Sequence, residues 1–267
     1  MSRARAGAYA LWQLRDYFKD RGLPTVIVGT LAAYLSLSDI LASDEREKVM
    51  GVLRARFVTP EAVDAAWRTY VDVTFVTGIL GALVFLGALF AMNGIVANDR
   101  KFGFYRFLFA KPVTPARYYG QAFVLHWAGF MAVIAVLGAL YGVVMQPVLT
   151  RTLLLVVALM FVAYAGIAFL LSAAARWDWL SLVVVSIAAD VLWTRFGASV
   201  HPLAKLLYLL PPLHRARDLY AAAAGAPMPF AAPSELSWPL LAWLVGYGAL
   251  CYLAGLIVLR YRRLAIV

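Results

Sequence analysis

Long stretches of this chain carry no charge. Val73–Asn98 runs for 26 uncharged residues, Tyr118–Thr150 for 33, Thr152–Ala175 for 24 and Pro239–Leu259 for 21. About 20 residues of apolar helix cross the hydrocarbon of a bilayer, so each run predicts a membrane span. Two further runs are weaker. Leu23–Ala42 carries Asp39 near its end, and Trp179–Thr194 is only 16 residues long and contains Asp190. Together they predict six transmembrane helices at about residues 23–42, 73–98, 120–146, 152–175, 179–195 and 239–259. The chain then reads as one all-α integral membrane domain over residues 1–267. The fifth span stands apart, because sixteen residues of helix rise about 24 Å, short of the roughly 30 Å of hydrocarbon.

Composition points the same way. The chain is 64% hydrophobic and 14% charged, with mean hydropathy +0.80. Soluble domains average about 45–50% apolar and about 25% charged. A core of this size cannot bury so much apolar surface, so lipid is the expected solvent. The single cysteine, Cys251, lies inside the last apolar run, where it reads as a packing residue. One thiol makes neither an internal disulfide nor a thiolate metal site.

Charge sets the expected orientation. Six spans place both termini on one side, with Met1–Gly22, Asp99–Arg117, Arg176–Asp178 and Arg260–Val267. These segments hold 14 Lys/Arg and four acids, against 10 Lys/Arg and eight acids in the opposite loops. Lys and Arg concentrate on the cytoplasmic side, so both termini and the 99–117 connection are expected inside. A signal peptide over the first 42 residues is the alternative. Its basic stretch would be unusually long, and no small-x-small cleavage site follows the apolar run.

The segments between the runs carry further patterns. Before the first span, "YALWQLRDYFKDRGLP" sets Leu11, Leu14 and Phe18 at helical spacing, with Arg15, Asp16 and Lys19 off that face. This predicts an amino-terminal interfacial helix, or a plain basic tail, with Pro24 as a break or first helical turn. Residues 43–72 have nearly cancelling charges and predict a solvated, partly helical outer loop, which argues against a nucleic-acid surface. After the fifth span, "HPLAKLLYLL" and "LHRARDLYAAAAGAP" flank the Pro211–Pro212 pair. Neither half is long enough to span, and the prolines break helix between them. A broken, re-entrant outer segment is expected, allowed where protein or water satisfies its backbone. An interfacial loop is the other reading.

The connection from the second span to the third is the densest in chemistry. "NDRKFGFYRFLFAKPVTPARYYG", residues 98–120, interleaves five cations and Asp99 with Phe102, Phe104, Tyr105, Phe107 and Phe109. It predicts a short amphipathic helix from Asp99 to about Ala110, stopped ahead of Pro112 and Pro115. Asp99 would sit at its favoured amino end. Phe104, Phe107 and Leu108 would form an apolar stripe ringed by Arg100, Lys101 and Arg106, fit for lipid or for a groove in another protein.

This segment resembles the second-to-third-span connection of permease subunits in type-2 ATP-binding cassette exporters. The matching positions are Asp99–Arg100, Gly103, Leu108–Phe109 and Pro112–Val113–Thr114, with Tyr118–Gly120 opening the next helix; the family more often has Glu at the position of Asp99. The interfacial amino-terminal helix, six spans, broken outer segment and basic "RYRR" tail fit along nearly the whole chain. The resemblance implies a cytoplasmic coupling helix that docks on a separate ATPase subunit through Asp99, Arg100, Lys101, Gly103, Phe104, Arg106, Phe107 and Leu108. It also implies a second permease (a homodimer or a paralogue), a bacterial cytoplasmic membrane, and ATP with Mg bound by the partner. The chain has no G-x-x-x-x-G-K-[ST] phosphate loop, so it is not expected to be an enzyme or to bind a cofactor itself.

Two rival classes are a non-transporting assembly subunit and a membrane-embedded enzyme. For the enzyme the candidates are Asp190, His126, His201 and His214, since an ionisable group in a span is costly and rare. They show no metal-ligand spacing such as H-E-x-x-H, and His126, alone on an apolar helix, reads as a packed or pore-lining residue. Asp190 and Arg195 stand at i, i+5, which is not the ideal helical neighbour. Thr74, Thr77, Asn93, Ser181, Ser186 and Asp190 are the polar candidates for lining a route for a lipid-like, peptide or drug cargo. Gly78, Gly81 and Gly87 make the second span rich in small residues, as close helix packing requires.

Overall fold

The computed structural model describes residues 11, 14–101, 114–145, 147–174, 180–198, 201, 205–207, 210–211, 213–225 and 235–261. All regular structure among them is helical. In chain order the α-helices are α1 (Leu23–Leu41), α2 (Ser43–Arg56), α3 (Pro60–Thr74), α4 (Gly81–Lys101), α5 (Pro115–Val144), α6 (Arg151–Ala174), α7 (Leu180–Phe196), α8 (Ala216–Ala223) and α9 (Trp238–Tyr261). A π-helical stretch, Phe75–Leu80, joins α3 to α4 without a break, and another, Phe18–Gly22, leads into α1.

A Thr-Pro pair starts two of the long helices. Thr59 and Thr114 each accept, on Oγ1, the amide of the residue three on (3.3 Å to Ala62 and to Arg117), while Pro60 and Pro115 occupy the first helical turn. Both devices follow from chemistry: the hydroxyl satisfies an orphan amide, and proline has none to orphan. Thr150 caps α6 in the same manner through the Leu153 amide, at 3.0 Å.

Among the described residues, four helices are long and apolar enough to cross a membrane: Pro60–Met92, Pro115–Val144, Arg151–Ala174 and Trp238–Tyr261. They coincide with the second, third, fourth and sixth predicted spans, and the chain is a multi-pass membrane protein. Leu23–Leu35 is apolar but shorter, and α7 has 17 residues.

Two sequence expectations are corrected here. Segment 43–72 is helical, as partly expected, but its second helix, α3, is no loop and runs straight on from Pro60 into the second predicted span. That span helix therefore starts at Pro60 rather than near residue 73. The amino-terminal helix is also not separate, since residues 14–41 are continuously helical through Pro24. Proline is tolerated where the hydrogen bonding has already widened to the π pattern, and the Leu23 amide bonds back to Phe18. The packed face differs as well. Leu11 is 70% exposed and Phe18 37%, while Tyr17 is 6% exposed. Its ring lies where a side chain at Gly129 would stand and meets His126 edge-on at 5.0 Å. A tyrosine seats itself over glycine because nothing else fills that hollow.

The core is built around α6. Leu153, Val156, Val157, Met160, Phe161, Ala163, Ala165 and Ala168 are fully enclosed, with α4 on one flank and α9 on the other. The α6–α9 seam is glycine-mediated. Any side chain on Gly166 would collide with the Gly248 carbonyl, and one on Gly248 would strike the Ala163 backbone. Lipid provides no hydrophobic drive between helices, so this close approach supplies dispersion contacts instead. On the α4 side, Phe130 of α5 sits over Gly87 and stacks on Phe161 at 4.9 Å. By contrast, α1 presents Leu23, Ile27, Val28, Leu31 and Leu35 outward, an apolar stripe fit for lipid.

Replacing Gly248 with Leu is expected to destabilise the bundle by about 1–3 kcal/mol or more, read as a lower melting temperature in detergent. Gly246→Ala, at a position with open space around it, should leave that temperature nearly unchanged.

Candidate functional site

Among the described residues, three clusters of polar side chains stand out in this apolar bundle. The first is at the end where residues 101–114 connect α4 to α5. Asp99 lies in the last turn of α4, is 6% exposed, and accepts a hydrogen bond from the Tyr119 hydroxyl on Oδ2 at 3.0 Å. Read from sequence as the first residue of a separate helix, Asp99 instead belongs to the helix of the second predicted span and turns inward. The reason is its partner: a buried acid needs a donor, and Tyr119, one turn into α5, provides one. Desolvation pushes the Asp99 carboxyl up to about 6, and the Tyr119 hydrogen bond opposes that rise.

Aromatic rings extend the contact across the bundle. Tyr119 meets Phe169 of α6 edge-on at 5.6 Å. Phe169 is 4.7 Å from Tyr252 of α9, and Tyr252 reaches back to Phe123 of α5 at 5.2 Å. One acid–phenol bond is thereby tied to four helices. Asp99 and Tyr119 bracket the aromatic, basic connection. Gly103, Phe104, Arg106, Phe107 and Leu108 lie outside the described residues, as do the side chains of Arg100 and Lys101, whose backbones close α4.

The second place mirrors the first at the opposite end of the same helices. Asp72 is 7% exposed and accepts a bond from the Tyr141 hydroxyl at 2.8 Å, while Tyr141 stacks on Phe75 with ring centres 3.9 Å apart. Sequence reasoning placed Asp72 in a solvated loop and missed it. The position alone was marked in the sequence, since Asp72 and Asp99 are the charges that flank the second apolar run.

The third place lies between α7 and the chain that follows it. A short 3₁₀ turn, Leu213–Arg215, leads into α8, whose Ala216, Leu219, Tyr220, Ala221 and Ala223 are buried. The Tyr220 ring rests 3.3 Å from where a side chain on Gly81 would begin. Gly81 lies nine residues along the helix from Asp72, so α8 packs well below that end. Thr150 donates to the Ala223 carbonyl at 3.2 Å and fastens α8 to the α5–α6 turn. His214 lies 5.1 Å from the Trp193 ring of α7. Burial lowers the His214 pKa, with Asp190 raising it in part. Among the described residues, Ser186 Oγ, His214 Nδ1 and Tyr220 OH here, and Tyr252 OH in the ring cluster at the first place, are buried and have no hydrogen-bond partner.

The remaining sequence candidates separate clearly. Thr74 and Thr77 bond back to the Tyr70 and Val73 carbonyls at 2.8 Å, in and beside the π stretch that frees such groups. Asn93 and Asp39 have side chains outside the described residues. His126 is engaged by its own helix, Nδ1 lying 2.7 Å from the Ala122 carbonyl. His201 is exposed. Asp190 is exposed on α7, and Arg195 stacks over Phe196 at 5.9 Å rather than pairing with it. Cys251 is a free, buried thiol. No group of three His, Cys, Asp or Glu gathers as a metal site among the described residues.

Comparison of the chain with known protein families, curated proteins and solved structures finds no match.

The Asp99 site yields a titration with a defined sign. The native carboxyl holds its proton between the ordinary 3.8 and about 6, so thermal stability should fall as pH rises through that window and level off above it. The protonated-carboxyl infrared band should vanish with a midpoint near 6. Tyr119→Phe should move that midpoint upward, and Asp99→Asn should abolish both the band and the slope.

Proposed function

We propose that this chain is the membrane-spanning subunit of an ATP-driven exporter of the type-2 ATP-binding cassette class. ATP hydrolysis is then done by a separate ATPase chain. The observation that carries this reading is the connection at residues 98–120, a basic, aromatic segment resembling that family's coupling helix and bracketed by the buried Asp99–Tyr119 bond. In this reading Phe104, Phe107 and Leu108 anchor in a groove of the ATPase. Arg100, Lys101 and Arg106 face an acidic rim and govern encounter and specificity more than raw affinity. Asp99 is turned inward, so its part is to fix the angle at which the connection leaves α4.

Transmission follows from mechanics. When two ATPase subunits close on nucleotide, a docked connection moves as a unit, and the buried bond carries the displacement into α4 and α5 together. The ring contacts from Tyr119 through Phe169 to Tyr252 extend it to α6 and α9. We further read α1 and α7 as the first and fifth of six spans, with both termini cytoplasmic in a bacterial inner membrane. The chain around Leu213–Ala223 is read as a re-entrant segment dipping in from the outer face, and a second permease completes the pathway.

Isolation of the tagged chain from its native membrane in mild detergent is expected to bring with it an ATP-binding cassette ATPase and vanadate-sensitive ATP hydrolysis. Phe107→Asp, still membrane-inserted, should lose both. Unchanged co-purification of the ATPase with that variant would overturn the docking role, and a native complex without a nucleotide hydrolase would overturn the exporter reading.

A further inference from the structure

One charge in the bundle is left without the company that its position demands. Asp190 stands in α7 between Ala189 and Val191, with six residues of helix after it. It is exposed, and it makes no hydrogen bond or ion pair among the described residues. The face around it is apolar, with Val184, Ile187 and Val191 exposed alongside. A carboxylate turned toward hydrocarbon is costly, so such groups face a partner or a water-lined route. The nearest cation in sequence, Arg195, lies over Phe196, and Arg215 is 3.8 Å from Asp218.

Ser186, Trp193 and His214 beside Asp190 are uncharged, while the paired Arg215 and Asp218 act on His214 with opposite signs. Ser186 is one turn earlier on the same helix, and its buried Oγ has no partner. His214 senses the Asp190 carboxylate, yet burial outweighs that influence and favours the neutral imidazole. Its Nδ1 is likewise buried and unpartnered. The Trp193 ring is tilted against His214.

We infer that Asp190, Ser186, Trp193 and His214 form a subsite for the cationic head of an amphiphilic organic cation. The inference rests on the exporter reading for its place on a route, though its chemistry does not depend on the ATPase. The carboxylate supplies the opposite charge. The indole provides a face that attracts a delocalised or alkylated cation. Val184, Ile187 and Val191 take the apolar body. A bare divalent ion fits poorly, because calcium takes six to eight oxygen ligands and magnesium near-ideal octahedral geometry, and one carboxylate is on hand. A second copy bringing its own Asp190 to the same seam would deepen the negative potential and sharpen the preference.

The test uses two ions of the same shape and opposite charge. The purified chain in phosphatidylcholine nanodiscs is titrated by equilibrium dialysis with tetraphenylphosphonium or tetraphenylborate, with empty nanodiscs subtracted. Saturable binding of the phosphonium alone is expected. Asp190→Asn should weaken it by about tenfold or more, and Asp190→Glu should retain it. Helical content and elution volume confirm that each variant is folded. Equal binding of both ions, or phosphonium binding within about twofold of wild type in Asp190→Asn, overturns the subsite. Absence of saturable phosphonium binding also overturns it, and a disulfide formed between two copies at residue 190 (Asp190→Cys) would then identify a second copy as the occupant. None of these outcomes bears on ATPase co-purification, so the two readings fail separately.

Discussion

Two buried acid–phenol hydrogen bonds hold the bundle in register. Asp72–Tyr141 and Asp99–Tyr119 join the α3–α4 helix to α5 near its two ends. In an apolar solvent a helix slides easily along its neighbour, because one methyl contact replaces another at little cost. A buried acid does not slide. Moving it one residue leaves a carboxyl without a donor where no water compensates. The 22 residues from Tyr119 to Tyr141 rise about 33 Å, close to the roughly 30 Å of hydrocarbon in a bilayer.

The remainder of the packing is organised around that fixed pair. Small residues let α6 and α9 approach closely, and Phe130 fills the space that Gly87 leaves open beside α6. The polar groups that do not serve register concentrate between α7 and the chain around His214. There α7 carries Val184, Ile187 and Val191 outward along with Asp190. The described bundle thus combines two register bonds between α3–α4 and α5 with buried polar atoms at Ser186, His214, Tyr220 and Tyr252 that have no hydrogen-bond partner.

Much of this was legible in the sequence, and the exceptions have physical causes. Apolar runs located four long helices because a bilayer imposes a length that no charge interrupts. The Thr-Pro pairs at 59–60 and 114–115 went unread, because Pro115 reads as a stop for the preceding segment and the charges of 60–72 mask the helix that Pro60 opens. The partners of Asp72 and Asp99 were not legible either, because each lies on another helix, 69 and 20 residues away. Tyr17 was missed because helical spacing ranks faces by greasiness, whereas the hollow at Gly129 selected a ring. The continuous helix through Pro24 escaped for a related reason: a π turn absorbs the lost amide, and nothing in composition announces a π turn. Asp190 and Ser186 stand on one helix and were visible as polar groups in a short apolar run, whereas the approach of His214 to Trp193 arises only through the fold.

The glycine seam has a consequence for how the chain matures. Ala163 and Gly166 enter the bilayer with α6, yet the surface they abut, around Gly248, is synthesised some 80 residues later. Until α9 arrives, the small-residue face of α6 stays open, so the central helix of the bundle is among the last to be enclosed. Chain topology thus makes closure a post-insertion event with a long sequence separation, of the kind that slows folding. Quality control that recognises an uncovered glycine face would have a defined interval in which to act.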